Sequence, residues 1–98
     1  MAGYKIYFRQ SVLKDLVKIP KRELQRIIKR IEKLAHDPRP QGCEKISGQE
    51  RFRIRQGNYR IIYYIQDDEL TIWIVKIGHR RDLYRKLGKD KSYGNVHE

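Results

Sequence analysis

Glu50-Arg51-Phe52-Arg53-Ile54-Arg55-Gln56-Gly57-Asn58-Tyr59-Arg60 alternates cationic and apolar residues. Successive side chains of a β-strand point to opposite faces. Arg51, Arg53 and Arg55 therefore share one face, and Phe52 and Ile54 share the other. Gly57-Asn58 has the form of a two-residue hairpin turn, with glycine supplying a positive φ at its first position. That turn sets Gln56 opposite Tyr59, Arg55 opposite Arg60, Arg53 opposite Ile62 and Arg51 opposite Tyr64. Directly opposed residues share a face, so Arg60 joins the other three arginines. Like charges opposed across a ladder destabilise it. A polyanionic partner gives a reason to keep them.

The second hairpin extends the pattern. Gln66-Asp67-Asp68-Glu69 forms a tight turn, and Leu70 to Ile77 forms the last strand, apolar enough to be buried on both faces. With Gln66 opposite Glu69, Ile62 faces Trp73 and Tyr64 faces Thr71. One face then holds Phe52, Ile54, Ile61, Tyr63, Ile65, Leu70, Ile72 and Ile74. The other holds the arginines with Ile62, Tyr64, Trp73 and Val75, a mixture of guanidinium groups and aromatic rings suited to phosphates and stacked bases. Trp73 fits a small second core better than base stacking, whereas Tyr64 fits either. His79 continues the odd-numbered series and is expected to emerge beside the arginines.

Toward the amino terminus, Tyr4 to Phe8 alternates as a strand, with Tyr4, Ile6 and Phe8 on one face. A helix begins at Gln10-Ser11, with Ser11 as N-cap and Val12, Leu13, Leu16 and Val17 as its apolar stripe. Pro20 separates it from a second helix that runs to about His36, with Leu24, Ile27, Ile28, Ile31, Leu34 and Ala35 at three-four spacing. Asp37 to Gly42 is a loop. Glu44 to Ile46 is a short extended piece, followed by a turn at Ser47-Gly48. Asp82 to Lys86 makes a short helix or turn. The expected fold class is α+β: an N-terminal strand, a helical hairpin and an antiparallel β-meander. They form a four-stranded sheet with helices on one face, a basic face opposite and a short C-terminal helix. Residues 1–87 form one domain, and 88–98 form a polar, mobile tail.

The chain has 98 residues, 23 Lys plus Arg against 12 Asp plus Glu, a formal net charge of +11 and a pI near 10.0. One domain of this size with that field attracts nucleic acid or an acidic protein. The one-faced clustering favours nucleic acid. A single cysteine, Cys43, forms no internal disulfide and lacks metal-ligand spacing to the histidines. No apolar run is long enough to span a bilayer and no signal-peptide core is present, so a soluble cytoplasmic protein is expected.

Strand, two helices and three antiparallel strands is an order that resembles the RelE-type toxins of the RelE/ParE superfamily. Arg53-Ile54-Arg55, Gly57-Asn58-Tyr59-Arg60-Ile61-Ile62-Tyr63 and Gly78-His79-Arg80-Arg81-Asp82-Leu83-Tyr84-Arg85 carry the resemblance. Lys45-Ile46-Ser47-Gly48 is similar to the family's Lys-Leu-x-Gly turn. The match runs from about Tyr4 to Lys86. It implies a toxin that enters the ribosomal A site and cleaves mRNA without metal or cofactor. The 2′-hydroxyl attacks the adjacent phosphate, the 5′-oxygen leaves and a 2′,3′-cyclic phosphate forms. It implies an acidic antitoxin partner, with operator DNA reached only through the antitoxin complex.

By position in the family, Arg60 and Arg80 would hold the scissile phosphate. Arg53 and Arg55 would bind and polarise the backbone, with Arg51, Arg81 and Tyr64 as further RNA contacts. Tyr84 would orient a nucleotide or move a proton. Well-studied members carry lysine where this chain has Arg53 and Arg55, and a lysine there is assigned as general base. Arginine does not deprotonate in proteins, which leaves His79 or Tyr84 as the proton acceptor. Two other readings stay open: a ParE-like inhibitor of DNA gyrase, since fold does not decide function, and a binding module that holds RNA or antitoxin without cutting.

Overall fold

The structure is a computed structural model that describes residues 3–46 and 50–79. The element order is β1 (Lys5–Phe8), α1 (Gln10–Val17), α2 (Lys21–Leu34), β2 (Glu44–Lys45), β3 (Arg51–Gln56), β4 (Tyr59–Gln66), a 3-10 turn (Asp67–Glu69) and β5 (Thr71–His79). The strands form one sheet in the order β1-β5-β4-β3-β2. β1 runs parallel to β5, and the other pairs are antiparallel. The sheet is therefore mixed and five-stranded rather than four-stranded. The extra strand is the extended piece at Glu44, which is long enough to form a ladder on β3. β1 is the edge on one side. On the other side, β3 is covered by β2.

The 56–59 hairpin forms in the expected register, from Gln56 opposite Tyr59 to Arg51 opposite Tyr64, and Gly57 has φ +61°. The β4–β5 connection differs. A 3-10 turn uses Asp67 to Glu69, and Leu70 takes a left-handed φ of 47°. Pairing resumes with Gln66 opposite Thr71, so Tyr64 faces Trp73 and not Thr71. Leu70 is a turn residue, 44% exposed, not part of the apolar face. The connection takes four residues instead of two, and the partners slide by two while side-chain parity is kept.

Parity then breaks further along. The register shifts between Ile62 and Tyr63: Tyr63 opposes Ile74, and Ile62 opposes Lys76. Val75 is the extra residue of this β-bulge, and it is buried. A bulge of one residue exchanges the two faces for everything beyond it.

The core lies between the sheet and the helices. Ile27, Ile31 and Leu34 of α2 and Val12 of α1 pack with Ile54, Ile61, Tyr63, Ile72, Ile74 and Ile77. Each such side chain contributes roughly 1.5–3 kcal/mol by leaving water. In α1 only half of the expected stripe turns inward: Val12 is buried, whereas Leu13 and Val17 are 49% and 84% exposed. The α1 N-cap is Arg9 rather than Ser11, without a side-chain cap. Its carbonyl accepts from the Val12 amide at 2.9 Å. In α2, Pro20 occupies the N-cap position, where the missing N–H costs nothing.

The Tyr63 hydroxyl donates to the Pro38 carbonyl at 2.7 Å, which pins the α2–β2 loop to the sheet. Asp67 accepts from the Tyr4 hydroxyl at 2.7 Å and from Arg39 at 2.8 Å. This clasp joins β1, the α2–β2 loop and the β4–β5 turn at one end of the sheet. Among the described residues, no helix is long and apolar enough to cross a membrane. The Ser47-Gly48 turn, the expected C-terminal helix and the boundary near residue 87 lie outside the described residues.

Candidate nucleic-acid interface

The face away from the core is built in rows across the sheet. In the first, Gly78 of β5 opposes Arg60, and Arg60 opposes Arg55. In the second, Lys76 opposes Ile62, Ile62 opposes Arg53 and Arg53 opposes Glu44. In the third, Tyr7 opposes Trp73, Trp73 opposes Tyr64 and Tyr64 opposes Arg51. Alternation along β3 and β4 thus brings together Arg51, Arg53, Arg55, Arg60 and Tyr64. Gly78 sets no side chain of its own beside Arg60.

Two acids pair with cations of these rows, and neither was singled out from the sequence. Glu44 accepts from Arg53 through both Nη2, at 2.7 Å, and Nε, at 3.2 Å. The hydrogen bond and charge of Arg53 hold the Glu44 carboxyl below its usual range, and the fields of Arg55 and Arg60 act the same way. Glu44 is therefore an anion embedded in the cationic row, and Arg53 is already engaged. The second acid is Asp15 of α1, whose Oδ2 lies 3.4 Å from Lys76 Nζ. That contact is an ion pair without hydrogen-bond geometry. A short β2 ladder and a bulge created these two neighbours, and alternation along a single strand signals neither.

His79 is not beside the arginines. The bulge at Val75 puts it opposite Tyr59, and the two rings meet edge to face at 5.4 Å. Tyr59 packs on the core, so His79 lies on the helix side of the sheet. Trp73 fulfils neither sequence expectation alone. Its ring stacks on Tyr7 with centroids 5.1 Å apart and 28° between planes, and its Nε1 donates to Gln66 at 3.2 Å. Arg80, Arg81 and Tyr84 lie outside the described residues. Among the described residues, no cluster of three His, Cys, Asp or Glu side chains could hold a metal.

Fold and face together can be compared with known proteins. The family described as ParE toxin of type II toxin-antitoxin system, parDE, matches residues 6–84. This chain belongs to the RelE/ParE toxin superfamily. Toxin RelG of Mycobacterium tuberculosis is 31% identical over 87 residues, covering 85% of this chain and 98% of that protein. Among solved structures, the toxin-antitoxin complex RelBE2 of the same organism contains a chain with TM-score 0.72 and 27% identity, covering 81% of this chain and 93% of that one. The archaeal RelE-RelB complex of Pyrococcus horikoshii gives TM-score 0.72 and 27% identity over 80% and 96% of the two chains. The protein is thus a RelE/ParE-type toxin of a type II toxin–antitoxin system, with the α+β fold expected of one.

Proposed function

We propose that this toxin is a ribosome-dependent endoribonuclease that cleaves mRNA in the A site by 2′-hydroxyl attack. The observation that carries this reading is the opposed pair Arg55 and Arg60, set among Arg51 and Arg53 on one sheet face. Cleavage by a neighbouring hydroxyl needs in-line positioning, a counter-charge for the pentavalent phosphorane and a route for two protons. Guanidinium forks meet the second need. Arg60 binds the scissile phosphate, with Arg80 as its second cation. Arg55 and Arg51 hold flanking phosphates, and Arg53 joins them when the substrate displaces Glu44. Tyr84 orients the nucleotide or transfers a proton. His79 drops out of the reacting set, because its ring sits on the far side of the sheet beside Tyr59. Glu44 is a carboxylate on the correct face and anionic at neutral pH, and it is the proton acceptor to test beside Tyr84. The chain works in the cytoplasm, where ribosomes and messages are.

An acidic antitoxin is the natural inhibitor. The two solved structures named above are toxin–antitoxin complexes, the chain carries +11, and the edge strand β1 can accept an added strand.

Primer extension across a message in a purified translation system tests the reading. Codon-positioned cuts should appear only when ribosomes occupy the message, and Arg60→Ala should reduce them at least about a hundredfold, as expected for loss of one preorganised phosphate ligand. Undisturbed translation would overturn it. A second reading, inhibition of DNA gyrase, is favoured by the ParE description of the matching family. It predicts DNA-damage signalling with intact transcripts.

A further inference from the structure

The third row of the basic face, Tyr7–Trp73–Tyr64, has no duty in phosphate chemistry. We infer that it is a stacking platform for unpaired bases of the bound RNA, with its growing end at Tyr7. The inference rests on the proposed RNA-binding role of the arginine face.

Four features of the row support it. The register carries three aromatic residues side by side across β1, β5 and β4. The Tyr7 and Trp73 rings are nearly parallel at 5.1 Å, so a base can extend the column on the outer flank of Tyr7. Tyr7 is 45% exposed and lies on the edge strand. A ring serving only a second small core would be covered. The Trp73 indole N–H is already satisfied by Gln66, so its orientation is fixed and what it offers is π surface.

The surroundings select RNA over an apolar partner. By alternation along β1, Lys5 shares the face with Tyr7, and Arg51 closes the row at the other end. Cations therefore bracket the rings, the arrangement that single-stranded nucleic acid requires for phosphates and bases together. From Tyr64 to Arg60 is roughly 13 Å along β4 at the usual rise. An RNA that reaches both must lay more than one nucleotide on the sheet. The platform thus adds base contacts beside the cleavage point and should influence which sequence is cut.

Trp73 is the only tryptophan of the chain, so its emission reports the row directly. The full chain is titrated with a 2′-O-methyl RNA hexamer, which cannot be cleaved, and with an abasic hexamer of equal charge. The base-bearing hexamer should quench Trp73 and the abasic one should bind without quenching. Tyr7→Ala should weaken the base-bearing hexamer about tenfold, the usual scale for one lost stack, while leaving the abasic hexamer unchanged. Tyr7→Phe, which keeps the ring, should behave as the native chain and guards against a folding artefact. Equal affinity and equal quenching by both hexamers would overturn the platform while leaving the phosphate-binding reading standing. Failure of both hexamers to bind would overturn the two readings together. Stronger quenching by polyglutamate than by RNA would assign the row to an acidic protein and overturn the platform.

Discussion

Glu44 is the residue whose surroundings most constrain the basic face. Its carboxylate takes the place that an RNA phosphate would occupy on Arg53, through two hydrogen bonds to one oxygen. An RNA bound as proposed must displace it. Glu44→Gln keeps the shape and removes the charge, so binding of a short RNA should tighten by about threefold, the scale of one exposed charge pair. Filter binding at low salt checks this. If Glu44 is also the proton acceptor, the same substitution should abolish cleavage while binding improves, a split that mere weakening of the site would not produce. Tyr63 makes the corresponding point inside the core. It is fully buried, and burial pushes its phenol well above the usual range. A folded pKa raised above the unfolded one means stability that is complete below about pH 10 and lost as the pH climbs through the folded value. Tyr63→Phe leaves the Pro38 carbonyl without its donor. It should cost about 1–2 kcal/mol in urea unfolding and should reduce the alkaline sensitivity.

At the scale of elements, the 56–59 hairpin decides which way the arginines face. Gly57 holds φ +61°, and an added Cβ would meet only Glu23 at 3.5 Å. Space is available, so the cost of Gly57→Ala is conformational: about 1–2 kcal/mol, with β3 and β4 protected less in hydrogen exchange. This hairpin was legible in the sequence because glycine and strict alternation both act locally. The α2 stripe was legible for the same reason. Four things were not. The 3-10 turn at Asp67 takes two residues more than the shortest hairpin, and Leu70, an unusual residue at positive φ, gives no warning of it. The Val75 bulge moves His79 to the other face, and a run of apolar residues carries no parity signal that would reveal an insertion. The extended piece at Glu44 was legible but its pairing was not, because it becomes a strand only where β3 offers it a partner. The Tyr4–Asp67–Arg39 clasp was hidden by sequence distance. Hydrogen bonds from Arg39 and then Tyr4 hold the Asp67 carboxyl below its usual range, and the bond to Asp67 raises the Tyr4 phenol. The Asp67 contribution is therefore present above the unfolded carboxyl pKa and lost on acidification. The Tyr4 contribution is present below about pH 10 and lost in alkali. Asp67→Asn should remove the Asp67 share of the acid-side loss from the pH profile of thermal unfolding.

For the whole molecule, charge and aromatic contact can be separated by salt. The net charge of +11 and the arginine rows predict that RNA affinity falls steeply with ionic strength, because each phosphate contact releases counterions. For single strands the slope of log affinity against log salt is about −0.7 per contact. Arg60→Ala should therefore flatten the slope by about that amount. Tyr7→Ala should lower affinity at every salt concentration without changing the slope, since stacking releases no ions. Glu44→Gln should steepen it, because Arg53 becomes free to take a phosphate. Gyrase inhibition would need none of these RNA effects, and a toxin of that kind would show shallow, base-independent binding of short RNA. Slopes measured for the native chain and these three variants, at matched pH, test whether the sheet face works as one RNA surface. A native slope near zero would mean that the arginines meet some other partner.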